Sequence, residues 1–596
     1  MLRCAGVVVL LAAISITYYR TLENGFVYDD TVQVVDNHWI KDVKYLPEIF
    51  TSHTFGYESE KCMSRTYRPV FLSIFTAEYA LFGLDPSGWH LTNIILHAIN
   101  TVLVFLLLRK LLSGGLAKAP AAFTIGTDLP PFFAALIFAV HPASGEVVNW
   151  VSCMPELAYT LLCLVSFYLY MESREGRPFL MRTLSVASFF LALLTKEPAL
   201  SLPAILIFYD YTREENGLKG MLRAASIKRY LPYAAAVIVF FLMRMHALGR
   251  LVVPREQMYQ YLTAPQQFYN ASVLLARYLK TLLSPLYYYP FQIFTPFTSA
   301  LEPEVYLSIT ALVVLFAAAF MLRNRADKLY ITALAFIVLP LLPALYIPGI
   351  MHHSFAYRYL YLPLVGFALL LSILMRAAAA RKKILLASIL AFYMITASTV
   401  YAISGIKGAA DWKNEFSIWR ASLKGSPGTN FYAMYSLGNE YSRTDSHGEA
   451  IRWYRDAEKA LKESPHSDRA AILNVLMELG RTYTSAGMPE EALGVYGELT
   501  ANYPNNPAVF LYAGYAYENA NLLEEAVSSY KKAAGLSGNA SALEVIYFDL
   551  GRTYLKKGEF EEALNCYEEI LRISPGNAEA RKNIAAVLAR TGNGIK

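Results

Sequence analysis

Ile94-Ile-Leu-His-Ala-Ile-Asn-Thr-Val-Leu-Val-Phe-Leu-Leu-Leu-Arg-Lys110 reads as one helical crossing of a membrane. Its apolar run is centred on Val102 and ends on two cations, and a run of about 17–25 such residues spans the hydrocarbon core. Comparable runs centre near Val9, Leu136, Leu162, Phe190, Ile205, Val239, Val313, Ile337, Leu369 and Ala391, so the sequence predicts about eleven spans. Some are short: Phe132–Val140 or Leu200–Tyr209 alone would barely cross. The composition agrees, with 55% hydrophobic and 17% charged residues in 596 and a mean hydropathy of +0.32, too apolar for one soluble globule. Aromatic residues at 14% suit a protein with many helix ends at a membrane interface. Five cysteines in a chain of this length exclude a disulfide scaffold.

The net charge of +6 divides unevenly. From Asp411 onward there are about 20 Lys and Arg against about 24 Asp and Glu, leaving about 33 against 23 before it. Nucleic-acid binding would need the cations on one folded face. They lie instead in short loops between apolar runs, which excludes that class. Loops at Arg109 and Lys110, Arg174–Arg182, Arg213–Arg229, Arg323–Lys328 and Arg376–Lys383 hold about 18 Lys and Arg. Those at His141–Pro155, Thr195–Pro198 and Pro348–Arg358 hold about two. The cation-rich side is therefore cytoplasmic, the N-terminus with Arg3 lies inside, and an odd span count places the C-terminal half outside. The first run reads as a retained signal anchor, since Ser15-Ile-Thr-Tyr-Tyr-Arg20 lacks a small-x-small cleavage site.

Residues 1–405 thus form a multi-span membrane domain with two long outer segments, about 19–89 and 249–303. Outer segments of such length are usually functional. The first contains Pro69–Gly83, an apolar stretch with Glu78 inside it that reads as a helix lying in the interface. Tyr261 to Tyr289, around Arg277 and Lys280, is a second interfacial element. After a linker at 406–428, residues 429–596 repeat with a period near 34. Leu479-Gly480, Tyr483, Ala492, Tyr496 and Pro504 stand at the signature positions of the tetratricopeptide repeat. The offsets return at Gly514, Tyr517, Ala526, Tyr530 and Ala533, and at Leu550-Gly551, Tyr554, Ala563, Tyr567 and Pro575. A looser copy runs through Leu437-Gly438, Tyr441, Ala450, Tyr454 and Ala457, and Ala578 to Arg590 reads as a capping helix. The fold class is therefore all-α: a polytopic helix bundle followed by an α-solenoid of about four repeats. Such repeats bind protein segments, with nothing in them to name the ligand.

The outer face carries polar groups that a helix bundle does not need. Asp29 and Asp30 follow Phe26-Val-Tyr28; paired carboxylates there serve as a general base or as a solvated cap pair. Arg65 and Arg68 suit bidentate contacts to a phosphate, or to lipid head groups. His141 and Glu146 stand at an outer helix end with Asn149 and Trp150 behind them. Lys196 and Glu197 interrupt an apolar hairpin, where ionisable groups are functional by default. His352, His353, Arg358 and Tyr359 line the last outer loop. Adjacent His352 and His353 without a third ligand predict no metal site, and no glycine-rich phosphate loop predicts nucleotide use.

Five segments in order give a family resemblance: Phe26-Val-Tyr-Asp-Asp30 with Tyr67-Arg-Pro-Val70, Tyr79 through His97, His141-Pro-Ala-Ser-Gly-Glu-Val-Val-Asn-Trp150, Thr195-Lys-Glu-Pro198, and Tyr357-Arg-Tyr-Leu-Tyr-Leu-Pro363. The chain resembles the transmembrane and tetratricopeptide-repeat containing proteins, the TMTC group, over essentially its whole length. The resemblance implies a GT-C type glycosyltransferase that moves a sugar from a polyprenyl-phosphate carrier to a hydroxyl of a protein or glycan acceptor, as in O-mannosylation. It implies a membrane-bound enzyme without a cofactor beyond that lipid-linked donor, with a protein acceptor or partner on the repeats. Asp29 and Asp30 would then supply the base. Arg68, Lys196 and Arg358 would hold the phosphate, with Glu197 beside them, and His141 and Glu146 would position sugar or acceptor. A single base favours an inverting displacement. One departure is Ser152-Cys-Met-Pro-Glu156, where the family pattern has Gly-Arg followed by an acidic residue. The short repeat array suggests a bacterial member with periplasmic repeats; in a eukaryote the same face is the lumen of the endoplasmic reticulum. Rival readings are a non-catalytic membrane scaffold, an envelope-polysaccharide polymerase, ligase or flippase, and a transporter.

Overall fold

The computed structural model describes residues 2–57, 66–113, 125–174, 178–214, 227–250, 262–285, 289–322, 328–346, 355–380, 384–464 and 469–590. It separates into two compact units, Met1–Gly425 and Ser426–Lys596. Among the described residues both are helical, and the one β-type pairing is an isolated antiparallel bridge between Gln292 and Phe355.

In the first unit the helices are α1 (Leu2–Tyr18), α2 (Leu46–Thr51), α3 (Pro69–Phe82), α4 (Pro86–Leu112), α5 (Ile125–Val140), α6 (Ala143–Asn149), α7 (Met154–Ser173) and α8 (Pro178–Thr195). They continue with α9 (Leu202–Arg213), α10 (Leu231–Leu248), α11 (Ala264–Leu283), α12 (Pro303–Leu322), α13 (Leu329–Val338), α14 (Pro363–Ala380), α15 (Ile384–Ala409) and α16 (Glu415–Gly425). Each expected apolar run is a helix, but the count of about eleven spans is not reproduced. Among the described residues seven helices are long and apolar enough to cross: Ala5–Glu23, Pro86–Leu112, Val151–Ser173, Pro178–Thr195, Leu231–Leu248, Pro303–Met321 and Leu385–Trp412. An eighth is possible where α5 and α6 meet at 57° across His141 and Pro142. Pro340 and Pro343 turn the end of α13 into a 3-10 segment, because proline removes the amide that would continue the α ladder. Exposed Val313, Phe316 and Phe392 give α12 and α15 the apolar outer surface that lipid requires.

The broken helices leave carbonyls that must find donors in an apolar interior. A polar stripe on α4 supplies them. Asn93 Nδ2 donates to Trp150 O at 3.0 Å, Asn100 Nδ2 to Leu157 O at 3.0 Å, and His97 Nε2 lies 2.8 Å from Ala139 O. The loops on either side of α6 are thereby held by hydrogen bonds from inside the bundle. The expected linker at 406–428 is largely structured: α15 runs to Ala409, and α16 packs on the first unit, with Trp412 and Trp419 buried. The stretch around Glu78, expected to lie in the interface, is helical as α3, with Glu78 4% exposed, so its carboxylate faces protein and not water.

The second unit alternates α17 (Phe431–Arg443), α18 (His447–Glu463), α19 (Arg469–Ser485), α20 (Pro489–Asn502), α21 (Pro507–Asn519), α22 (Leu523–Leu536), α23 (Ala540–Lys557), α24 (Phe560–Ile573) and α25 (Ala578–Arg590). These are four helix pairs and a cap. The reason for the recurring glycine is steric. A Cβ at Gly438, Gly480, Gly514 or Gly551 would meet the tyrosine ring of the paired helix, Tyr454, Tyr496, Tyr530 or Tyr567, at 2.4–3.0 Å. Each ring therefore lies on bare backbone, and the facing alanines, Ala450, Ala492, Ala526 and Ala563, are fully buried.

Candidate active site

Residue Tyr28 has φ +54°, a left-handed conformation that a bulky side chain adopts only when its surroundings hold it. Its amide donates to Glu415 Oε1 at 2.5 Å, and its ring packs against Trp150, Phe291 and Trp419. The turn that follows separates the two aspartates. Asp30 is wholly buried and accepts three hydrogen bonds: from Val27 N at 3.1 Å, Ser152 N at 2.8 Å and Ser152 Oγ at 2.5 Å. It ties the first outer segment to the loop before α7. Asp29 is half-buried, and its carboxylate has one weak contact, Gln33 Nε2 at 3.4 Å.

Both acids are raised. Burial pushes Asp30 to about 7 against the hydrogen bonds from Ser152 and Val27. Burial pushes Asp29 to about 6; the Arg358 charge opposes the rise and Glu415 adds to it. The lightly bonded member is thus Asp29, ionised at neutral pH yet basic enough to accept a proton.

Next to this turn stands a chain of ion pairs drawn from distant segments. Arg68, the residue before α3, places Nε 3.0 Å and Nη2 2.8 Å from Glu197 Oε2. Arg244 on α10 reaches the other oxygen of Glu197 at 3.3 Å. Although burial pushes Glu197 upward, Arg68 and Arg244 bring it down to about 2, so it is a fixed anion. Its neighbour Lys196 pairs with Glu156 on α7. Arg358 pairs with Glu146 through its guanidinium and donates its backbone amide to the same carboxylate at 3.1 Å. The guanidinium also lies 3.9 Å from Glu156 and over the rings of Trp150 and Tyr359. Three buried polar atoms in this cluster have no partner within the chain: Glu156 Oε2, Asn149 Nδ2 and Trp150 Nε1.

The structure brings together Asp29, Arg68, Glu146, Lys196, Glu197 and Arg358, with Asp30 as the tie beneath them. It does not bring in His141. That ring accepts from Ala143 N at 3.2 Å through Nδ1 and lies 3.3 Å from Leu282 O through Nε2, so both nitrogens are engaged by the backbone where α5 breaks. Arg65, His352 and His353 lie outside the described residues. Three members were not assigned to the site from sequence. Arg244 ends an apolar run, and an ionisable group in such a run is itself the missed signal. Glu156 and Ser152 belong to the segment that departs from the family pattern, and both are structural partners in the site. Among the described residues no three His, Cys, Asp or Glu side chains are grouped to hold a metal ion.

Tetratricopeptide repeat models match residues 477–541 and 545–577. A mouse protein, "Protein O-mannosyl-transferase TMTC3", is 25% identical over 98% of this chain and 65% of its own length. The chain is a TMTC homologue. The Drosophila melanogaster protein Tmtc3 is 24% identical over 93% of this chain and 65% of its own, and human TMTC1 is 30% identical over 35% and 24%. The chain thus spans about 65% of the length of the TMTC3 relatives. These TMTC relatives are animal proteins, so the expected bacterial setting draws no support from them. The crystal structure of MamA protein is 24% identical over 28% of this chain and 84% of its own, with a TM-score of 0.23.

If Asp29 acts as the base, turnover follows its ionisation. A base must be deprotonated to act, so the rate is expected to rise with pH and level off above about 6, falling about tenfold per unit below it. Rates of sugar transfer between pH 4.5 and 8 check this, and a flat profile would remove Asp29 from that role.

Proposed function

We propose that the chain is a membrane glycosyltransferase that moves a sugar from a polyprenyl-phosphate carrier to a hydroxyl group of a protein acceptor on the outer, non-cytoplasmic face. One observation carries the reading. Residues 26–30, Arg68, 141–156, 195–197 and 357–359 are far apart in sequence, yet their ionised side chains form one cluster beside the lightly bonded Asp29. A scaffold needs no such convergence. The names of the TMTC relatives, protein O-mannosyl-transferases, point to the same chemistry.

In the proposed reaction the acceptor oxygen attacks the anomeric carbon while Asp29 takes its proton. The bond between that carbon and the phosphate oxygen breaks, and polyprenyl phosphate leaves with the electron pair. Arg68, Lys196 and Arg244 meet the charge that develops on the phosphate, in a site where burial leaves their attraction less screened than in water. Arg358, paired like them with carboxylates, Glu146 and Glu156, stands beside these cations and adds its charge to theirs. With one lightly bonded carboxylate, the reaction is a single displacement with inversion. The cation-rich loops, on the opposite side from Lys196 and Arg358, set the cytoplasmic face. The repeats present the acceptor or a partner protein.

The test uses the full chain in nanodiscs with a panel of radiolabelled polyprenyl-phosphate sugars and a hydroxyl-bearing peptide. Label moved from one lipid to the peptide identifies donor and reaction together. A folded sample that releases no label from any donor returns the chain to the scaffold reading.

A further inference from the structure

Helix α8 has a second charged end. Lys196 and Glu197 follow its C-terminus, while Arg182 lies in its first turns, about 21 Å away along the axis. Around Arg182, α8 and α10 enclose an open groove of about 570 Å³. Phe179, Val186 and Phe190 recur on the helical period along one wall, and the small Ala235 and the half-exposed Val239 form the other. From Phe179 to Phe190 the groove runs about 16 Å, half the hydrocarbon thickness of a bilayer. It is apolar throughout except at the Arg182 end. There the guanidinium Nε is buried without a hydrogen-bond partner, and no ion pair joins Arg182 to a described carboxylate. The other titratable group that senses it is the Tyr233 hydroxyl, which is bonded to Ser185 at 2.6 Å.

An apolar groove of one-leaflet length, ending at the interface on a guanidinium without an ion-pair partner among the described residues, fits a lipid with a phosphate head group. We propose that the groove binds an anionic diacyl phospholipid of the cytoplasmic leaflet, with an acyl chain along Phe179–Phe190 and the phosphate on Arg182. The leaflet assignment rests on the orientation given under Proposed function. The chemistry of the site does not, because it follows from the groove itself. Burial of an acyl chain gives the affinity, charge-assisted hydrogen bonds seat the phosphate on Arg182, and a head group without the choline cation keeps its net negative charge against the guanidinium. The distance along α8 from Lys196 makes this a different site from the one assigned to the sugar donor. A polyprenyl phosphate in the groove is the competing outcome.

The experiment reconstitutes the full chain in phosphatidylcholine nanodiscs with and without phosphatidylglycerol and measures retained lipid by native mass spectrometry. The native protein is expected to retain phosphatidylglycerol over phosphatidylcholine. Arg182→Gln should weaken that retention about tenfold, and Arg182→Lys should keep most of it. Ala235→Trp, which fills the groove without touching the charge, should abolish it. Equal melting temperatures in pure phosphatidylcholine establish that each variant is folded. Equal phosphatidylglycerol retention in Arg182→Gln and the native chain overturns the proposal. So does equal retention of both lipids by the native chain, or recovery of polyprenyl phosphate in place of phospholipid. The readout is bound lipid, so a failed sugar-transfer assay leaves the result standing.

Discussion

Replacing Asp29 by Asn is expected to lower sugar transfer by about 10²–10⁴-fold, the usual range for removing a general base, without lowering the amount of folded protein. The carboxylate has a single weak contact at 3.4 Å, so the amide takes its place at little structural cost. Asp30→Asn should do the reverse. Its carboxylate accepts from two backbone amides and a hydroxyl, and an amide presents an N–H group toward donors where an oxygen had accepted. Leaving buried donors unmet costs about 1–3 kcal/mol, so this variant should melt earlier and lose activity only as its folded fraction falls. Initial transfer rates and melting curves on the two single variants separate the roles. A fall of less than about threefold in Asp29→Asn, or a large loss in Asp30→Asn at unchanged stability, would reverse the assignment.

Arg358→Leu is expected to have the largest effect on folding. Arg358 is the ion-pair partner of wholly buried Glu146 and also faces Glu156, which is 2% exposed. Removing one member of a buried pair costs about 3–5 kcal/mol, because the remaining charge is left uncompensated. Most of the single variant should therefore fail to reach a folded, membrane-inserted state. Substituting both members, Arg358→Leu with Glu146→Leu, removes the stranded charge and should recover much of the stability, since buried pairs are often replaced by apolar residues at no net cost. Transfer should stay low in the double variant, because Glu156 and Lys196 would no longer be held in register with the turn at Asp29. Size-exclusion profiles and melting temperatures of the full chain measure the first effect, and transfer rates at matched folded protein measure the second. A single variant as stable as the native chain would show that Glu146 does not depend on Arg358.

The two halves of this protein differ in how much their sequences disclose. In the repeats, Gly480 and Tyr496 recur at fixed offsets because each glycine exists to accept a ring from its own helix pair. The relevant contact is local, so its period is visible in one dimension. Membrane helices are equally local: their hydrogen bonds close within each run, and the apolar run around Val102 identifies its helix without reference to any neighbour.

What the linear chain determined about the site was a set of residue types at unusual places: Lys196 and Glu197 in an apolar hairpin, Arg68 before a proline, and paired aspartates beyond the first span. Only the tertiary structure decided which of them meet. Lys196 goes to Glu156 and Glu197 to Arg68 and Arg244, while His141, equally prominent in sequence, is taken up by backbone at the break between α5 and α6. Asp29 and Asp30 are adjacent and chemically identical, and nothing in their order distinguishes them. Ser152, far along the chain, does so by engaging Asp30 and leaving Asp29 its single weak contact. Charge pairing in a buried site depends on which segments the fold brings within a few ångströms, because at that range desolvation and Coulomb attraction are both large and oppose one another. Local patterns carry helices and repeats; the balance of those two opposed energies is set only when distant segments come into contact.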